Sequence, residues 1–551
     1  MTTIPIRLSG LAACALSLVC ACASEPGAGD GVGRSSPNDA DQWLGVDRGA
    51  SFLAHVAQIR AIEVISEASL GRLGTTWERE LGDVERMYRD ARTADQAYYA
   101  LVALANSFHD GHAYFRIDEL EPAGPEVTLP FSVRVEYVDG VARYIVRPGG
   151  SLPAGAEVLE LDGRAVGRLE GEWRRWFPGN SPEGLREGLA QWMSTRSPRR
   201  EPSPTAGSTT TIIAQSPGGP RTPFTLTWKA NTKDGVSCPP YADPCAPDAD
   251  GEYADPPSYV GLGYCVYGTP QEGTRIVRYR TFYAPDTSDP TERACLAKKL
   301  PSLSYELTLA ESDRSGPRGL LQRDQGELLD HLARRAVRRV LFDVRENTGG
   351  DFDPGFFGAF TSGSYAQPLK RFVYKPWFRE DASRIRQANV FVALLDGSPV
   401  DSGAAAIEDF LRKNPSSEAS PPLPFYCQTQ ACAEAEARLE SRSNVVFAAA
   451  LLVGPKCFSA CDDFVSIFRD NGLARTIGQP SGAGDSPYSY DVDLPLAGQR
   501  VARAHLTVGV SFHPGTGVPL EGHPAFIDVP LPPTAENRGR YVAEALARAP
   551  F

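Results

Sequence analysis

A chain of 551 residues, 42% hydrophobic and 23% charged, with 52 glycines and 46 prolines, carries apolar material for about two to four folded domains. That composition excludes wholesale disorder and collagen-like repeats. The balance of 56 Lys+Arg against 68 Asp+Glu gives a net charge of −12 without a long basic run, which argues against a nucleic-acid partner. Beyond the N-terminus, no stretch reaches the roughly 18 consecutive apolar residues of a membrane span.

The first element in chain order reads as an export signal. Arg7 is the only charge before Glu25, and Leu8 to Ala21 is an uninterrupted run of apolar and small residues, too short for a comfortable span. The run ends in Val19-Cys20-Ala21-Cys22, which resembles the lipobox of bacterial lipoproteins. Residues 1–21 are therefore expected to be removed and Cys22 to carry a lipid. The protein would then sit in the cell envelope, on the outer membrane facing the periplasm; plain secretion is the alternative. Residues 22–43, with a Gly/Ser/Pro/Asp-rich stretch from Ser24 to Asp41, read as a flexible tether.

Of the 11 cysteines, those left after cleavage and lipidation are Cys238, Cys245, Cys265, Cys295, Cys427, Cys432, Cys457 and Cys461. An even set in an exported chain predicts disulfides. Cys457 and Cys461 are expected to pair with each other or with the 427–432 loop, and the other four among themselves. Metal binding would need C-x-x-C spacing or interleaved histidines, and neither occurs, so no metal and no cofactor is expected.

Residues 44–120 are helical by pattern, with apolar residues at three- and four-residue intervals over Trp77–Tyr88 and Ala94–Phe108. Residues 121–230 change to strands and contain a Gly-turn, an apolar strand and an Asp-Gly turn at 152–169. Residues 231–272, rich in Pro, Asp, Gly and Cys, read as an insertion. A core follows over 273–551, with a predicted helix over Glu327–Arg338, a buried strand from Val340, a second insertion near 377–445 and a returning strand at Val445–Val453.

Three segments carry candidate chemistry. In "FDVRENTGGD" (342–351) an apolar strand runs into paired glycines, which let backbone N–H groups line a cavity and hold an anion. In "FAAALLVGPKCFSACDDF" (447–464) a strand, a Gly-Pro loop and a helix place Ser459 at the helix N-terminus, where unpaired N–H groups favour negative charge; a plain N-cap is the competing use. "HDGHAYF" (109–115) sets His109 and His112 just past a helix.

Taken in order, D-G-H, D-x-R-x-N-x-G-G, strand–F-S-A–helix, T-I-G-x-x-S-G and "LEGHPAFIDV" (520–529) resemble the S41 peptidases, which include the tail-specific proteases, the tricorn core and retinoid-binding-protein-like repeats. The resemblance spans roughly 44–170 and 275–545. It implies a multidomain α/β fold: a Clp/crotonase-like protease core, a helical N-terminal domain and a PDZ-like β module at "GAEVLELDG" (155–163), with Ala156 where Asp is usual. It implies that Ser459 is the nucleophile, and that the amides of Ala460 and of Gly349 or Gly350 form the oxyanion hole. Glycine at 484, the position of the family's lysine base, excludes a Ser–Lys type, leaving Lys456 as the only nearby lysine. His112 is then the base and Glu521 its acidic partner. Two departures weaken that match: Gly111 stands where serine precedes the histidine, and the segment around Glu521 is altered, with His523 a spare candidate.

His109 is a further rival base. Ser402, which opens a second strand–loop–helix, is a rival nucleophile but lacks the glycine-rich return and reads as a cap. The expected function is an exported serine endopeptidase acting on a protein or peptide substrate, with activity rising between about pH 6 and 7.5 as a histidine loses its proton. The alternative is a catalytically silent scaffold of the same family that binds a peptide or an apolar ligand.

Overall fold

The computed structural model describes residues 39–551 except 64–75, 232–237, 239–242, 248–250, 254, 382, 389–399, 425–445 and 486–487. Cys22, Cys427 and Cys432 lie outside the described residues. At the centre is a seven-stranded sheet whose spatial order follows the chain: β1 (Tyr259–Val260), β2 (Tyr264–Gly268), β3 (Thr274–Tyr279), β4 (Arg339–Asp343), β5 (Ala448–Val453), β6 (Ala474–Gly478) and β7 (Val529–Pro530). The first two pairings are antiparallel and the other four parallel.

Alternation along β4 and β5 feeds two cores, as a sheet covered on both faces requires. Val340, Phe342, Ala449, Leu451 and Val453 face one core, which also holds Leu321, Leu328 and Leu332 of the helix Leu309–Arg334. In it Phe464 and Phe468 of the helix Ala460–Asp470 meet Phe342, both at ring separations of 5.7 Å. Leu341, Ala450 and Leu452 face the other, closed by Tyr541, Val542, Ala545 and Leu546 of the C-terminal helix Tyr541–Arg548.

Two boundaries differ from expectation. The central sheet takes in Tyr259–Gly268, which the Pro/Gly/Cys-rich composition had assigned to an insertion; its two strands are too short to show a periodic pattern. The helix expected over Glu327–Arg338 instead ends at Arg334 and reaches back to a break at Gly316 (φ 63°), before which a shorter helical segment starts at Leu309; after Arg334 the chain turns through Ala336 at φ 51° to enter β4.

The N-terminal helices are Arg48–Arg60, Trp77–Asp90 and Ala94–Asn106, and the first and third start where side chains satisfy free amides. Asp47 accepts from the Ala50 N–H, and Thr93 forms a capping box with Gln96. They do not bury their apolar faces among themselves alone. Their core includes Val492, Leu494, Ala502, Ala504 and Leu506, from the antiparallel strands Ser489–Pro495 and Val501–Thr507 nearly 400 residues later in the chain. The short strand Tyr114–Arg116 joins that pair, with Tyr114 opposite His505.

Between these units lies an antiparallel six-stranded sheet over Val133–Thr227, closed by the helices Val166–Trp173 and Pro182–Trp192 around Val135, Val158, Leu161, Leu169, Leu185 and Trp228. The strand Glu157–Leu161 turns at Asp162-Gly163, both at positive φ, as an Asp-Gly hairpin turn requires. After this turn come the two-residue strand Arg164–Ala165 and then the helix Val166–Trp173. Disulfides join Cys238 to Cys295, Cys245 to Cys265, and Cys457 to Cys461. Among the described residues, no helix is long and apolar enough to cross a membrane.

Candidate active site

The site forms where the loops after β4 and β5 meet, at the carboxyl ends of adjacent parallel strands, the usual position for sites in such sheets. The chain leaves β5 through Gly454-Pro455 and reaches Ser459 immediately before the helix Ala460–Asp470. Ser459 adopts φ 59°, ψ −131°, a backbone region that costs a non-glycine residue on the order of 1–3 kcal/mol and persists only when neighbours enforce it. Here they do. The Ser459 N–H donates to Gly484 O at 2.8 Å, the Gly482 N–H donates to Cys457 O at 2.6 Å, and the Cys457–Cys461 disulfide brackets the turn. Asp462, in the first helical turn, accepts from the Ser481 hydroxyl and, at 3.1 Å, from the Gly484 N–H, tying the helix to the return loop.

Ser459 does not cap the helix with its side chain. Its hydroxyl instead lies 3.1 Å from His112 Nε2, so the N-cap reading fails. His112 stands between the helix Ala94–Asn106 and the strand Tyr114–Arg116, in a turn whose His112 N–H donates to Asp110 Oδ1 at 2.9 Å. Its ring stacks on Phe458, with centroids 4.8 Å apart and planes inclined by 21°.

His112 Nδ1 has no hydrogen-bond partner among the described residues. Asp110 Oδ1 is 3.9 Å away, and carboxylate oxygens of Asp110 and Glu521 lie within 4.8 Å of each other and of a His112 ring nitrogen. Glu521 therefore comes to the site without bonding the imidazole. Its Oε1 accepts from the Asn180 side chain and its Oε2 from the Asp485 N–H at 3.0 Å. A group of one imidazole and two carboxylates could in principle ligate a cation, and the donor chemistry suits one. With both Glu521 oxygens committed to N–H donors, only Asp110 Oδ2 and His112 Nδ1 are left uncommitted.

Burial pushes His112 down to about 4; the Asp110 charge opposes this and the nearby His505 adds to it. The neutral, proton-accepting ring thus persists well below the pH 6–7.5 window expected for an unperturbed histidine. Burial, reinforced by the Asp110 charge, holds the Glu521 carboxyl far above its ordinary range, and burial raises Asp462 to about 7.

Gly349 lies against the serine: a Cβ there would stand 2.8 Å from Ser459 Cβ and 3.2 Å from the Ala460 nitrogen. The Gly349 N–H donates to Asn347 Oδ1 at 2.8 Å, whereas the Gly350 and Ala460 amides have no acceptor among the described residues. Of the three candidate donors, Gly350 and Ala460 are the two left available.

The rivals lie elsewhere. His109 is fully buried at φ 50°, with Nδ1 3.2 Å from Gly179 O. His523 Nδ1 is 3.0 Å from the backbone oxygen of Glu521, and its own carbonyl faces His513 Nε2. Lys456 pairs with Glu346 at 3.0 Å, and that charge raises the lysine further from any use as a base. Ser402 falls inside the first turn of the helix Val400–Lys413. The sequence missed Asp110, Asn180 and Phe458. Asp110 stands within a quoted motif, but Asn180 belongs to the preceding module and had no local signal.

No family model and no curated protein matches the chain. Its structure is similar to that of mature CPAF, with a TM-score of 0.62 at 14% identity over 91% of this chain and 95% of that one. Mature CPAF complexed with lactacystin matches at TM-score 0.59 and 15% identity over 90% and 96% of the two chains. A serine-to-alanine CPAF mutant matches at 0.57 and 16% identity over 90% and 95%. The likeness runs nearly end to end and establishes the multidomain α/β fold.

Proposed function

We propose that this chain is a serine endopeptidase of the S41 type, working through Ser459 and His112. The observation that carries this reading is the 3.1 Å approach of His112 Nε2 to the hydroxyl of a serine held at positive φ outside any capping role. Nε2 takes the proton as Ser459 Oγ attacks a peptide carbonyl carbon. The negative charge passing to the carbonyl oxygen is met by the Ala460 and Gly350 amides beside the helix N-terminus. The imidazolium then gives its proton to the departing amine, leaving an acyl-enzyme that water hydrolyses by the same steps reversed. Asp110 provides the carboxylate at 3.9 Å from Nδ1, with Glu521 beside it.

Export and anchoring through lipidated Cys22 belong to the same proposal, and so does a PDZ-like role for the 121–230 module in offering a strand edge to an extended peptide. The intact mass of the N-terminal peptide tests the anchor: a diacylglyceryl-modified Cys22 supports it, and an unmodified Cys22 refutes it. A fluorophosphonate probe tests the chemistry, since it labels only an activated serine. Covalent labelling of Ser459 with hydrolysis of a denatured protein substrate is the expected outcome. A folded protein that neither labels nor cleaves would mark a silent scaffold. Lactacystin, found complexed with mature CPAF, serves as a second probe.

A further inference from the structure

Three glycines from two distant segments surround one ring. A Cβ on Gly111 or Gly484 would overlap the Phe458 ring, and one on Gly482 would stand 2.9 Å from its Cδ2. None of the three has the positive φ that favours glycine, so their backbones would accept a side chain. The Phe458 ring is what crowds it out, together with the Cys457 carbonyl at 3.1 Å beside Gly482. Gly111 and Gly484 are also the two positions where serine and lysine were expected, and the ring fills both spaces.

A catalytic histidine is usually oriented by a hydrogen bond at its second nitrogen. Here Nδ1 has none among the described residues. The imidazole has its Nε2 contact at the serine, and its face lies on Phe458. Resting on the Ser459–His112 reading above, we propose that Phe458 is a positioning residue: its ring, seated in the Gly111–Gly482–Gly484 socket, fixes the plane of His112 so that Nε2 meets Ser459 Oγ. Because Phe458 directly precedes Ser459, one dipeptide sets both the nucleophile and the plane of its base. The ring also keeps water off the imidazole, whose other charged or titratable neighbours are Asp110, Glu521 and His505.

The test compares Phe458→Leu, Gly484→Ala and the double variant in peptide hydrolysis and fluorophosphonate labelling across pH. A tilted imidazole loses an interaction realised during attack, so Phe458→Leu lowers kcat about 10- to 100-fold with KM little changed. The acid limb moves up from about 4 toward the ordinary histidine value of about 6.5 as water reaches the ring. Gly484→Ala pushes the same ring from the other side and gives a similar loss, and the double variant is no worse than the poorer single one. Circular dichroism checks that each variant is folded. A folded Phe458→Leu with the wild-type kcat and acid limb overturns the proposal, as do two losses that multiply. Wild-type protein that neither labels nor cleaves overturns the underlying reading instead.

Discussion

The two halves of the site are built in opposite ways. The nucleophile side is local: β5, a five-residue loop, Ser459 and a helix follow one another within 23 residues, and one disulfide closes the turn. The base side is assembled from afar. His112 comes from the N-terminal helices, Asn180 from the middle module, Phe458 from the nucleophile's own turn, and Glu521 from near the C-terminus. Even the scaffold under His112 is shared, because Tyr114–Arg116 pairs with a strand at 501–507. A local turn tolerates damage elsewhere, while an assembled base depends on every unit docking correctly.

Perturbations should separate the two halves. Ser459→Ala should lower turnover on the order of 10⁴-fold or more, whereas Ser402→Ala should leave most of it, as steady-state hydrolysis would show. Equal losses would mean that the local half has been misassigned. His112→Asn comes next, with a loss of roughly 10³-fold in kcat/KM from removal of a positioned base, while His523→Asn retains activity. Glu521→Gln should cost less, about 10- to 100-fold. It replaces the carboxyl with an amide whose N–H2 must face either the Asn180 or the Asp485 donor, disturbing the group beside His112 without removing the base. A loss as large as that of His112→Asn would make Glu521 a full member of the relay.

Opening the Cys457–Cys461 bridge with a Cys457→Ser/Cys461→Ser pair should have the smallest effect. The bridge closes only a short loop, worth about 2 kcal/mol by chain entropy. Because that loop enforces the Ser459 backbone, activity should fall several-fold while the protein stays folded by calorimetry.

The local half was legible because its signals are contiguous. An apolar strand, Gly454-Pro455, a serine and an amphipathic helix occur in one window, and the glycine pair after β4 announces itself likewise. The base half was legible only through motif order. Residue type pointed to His112, but nothing near Asn180 or Phe458 marks a contact across hundreds of residues. Gly111 and Gly484 read as departures from a pattern, and their physical reason, a ring filling both spaces, exists only after folding. The pH expectation for His112 moves down for the same reason: burial, invisible in sequence, lowers the ring from its ordinary value. The short strands β1 and β2 escaped notice because two to five residues cannot display a period.

The central claim is that a neutral, partly buried His112 activates Ser459. The pH dependence of fluorophosphonate inactivation, with the adduct mapped by peptide mass, tests it most directly. A group whose pKa is lowered keeps its proton-accepting form to lower pH, so the rate should hold through the acid range and fall as pH drops through about 4, with the adduct on Ser459. A midpoint near the unperturbed histidine value of about 6.5, a rate still climbing above about 9, or an adduct on another serine would contradict the account.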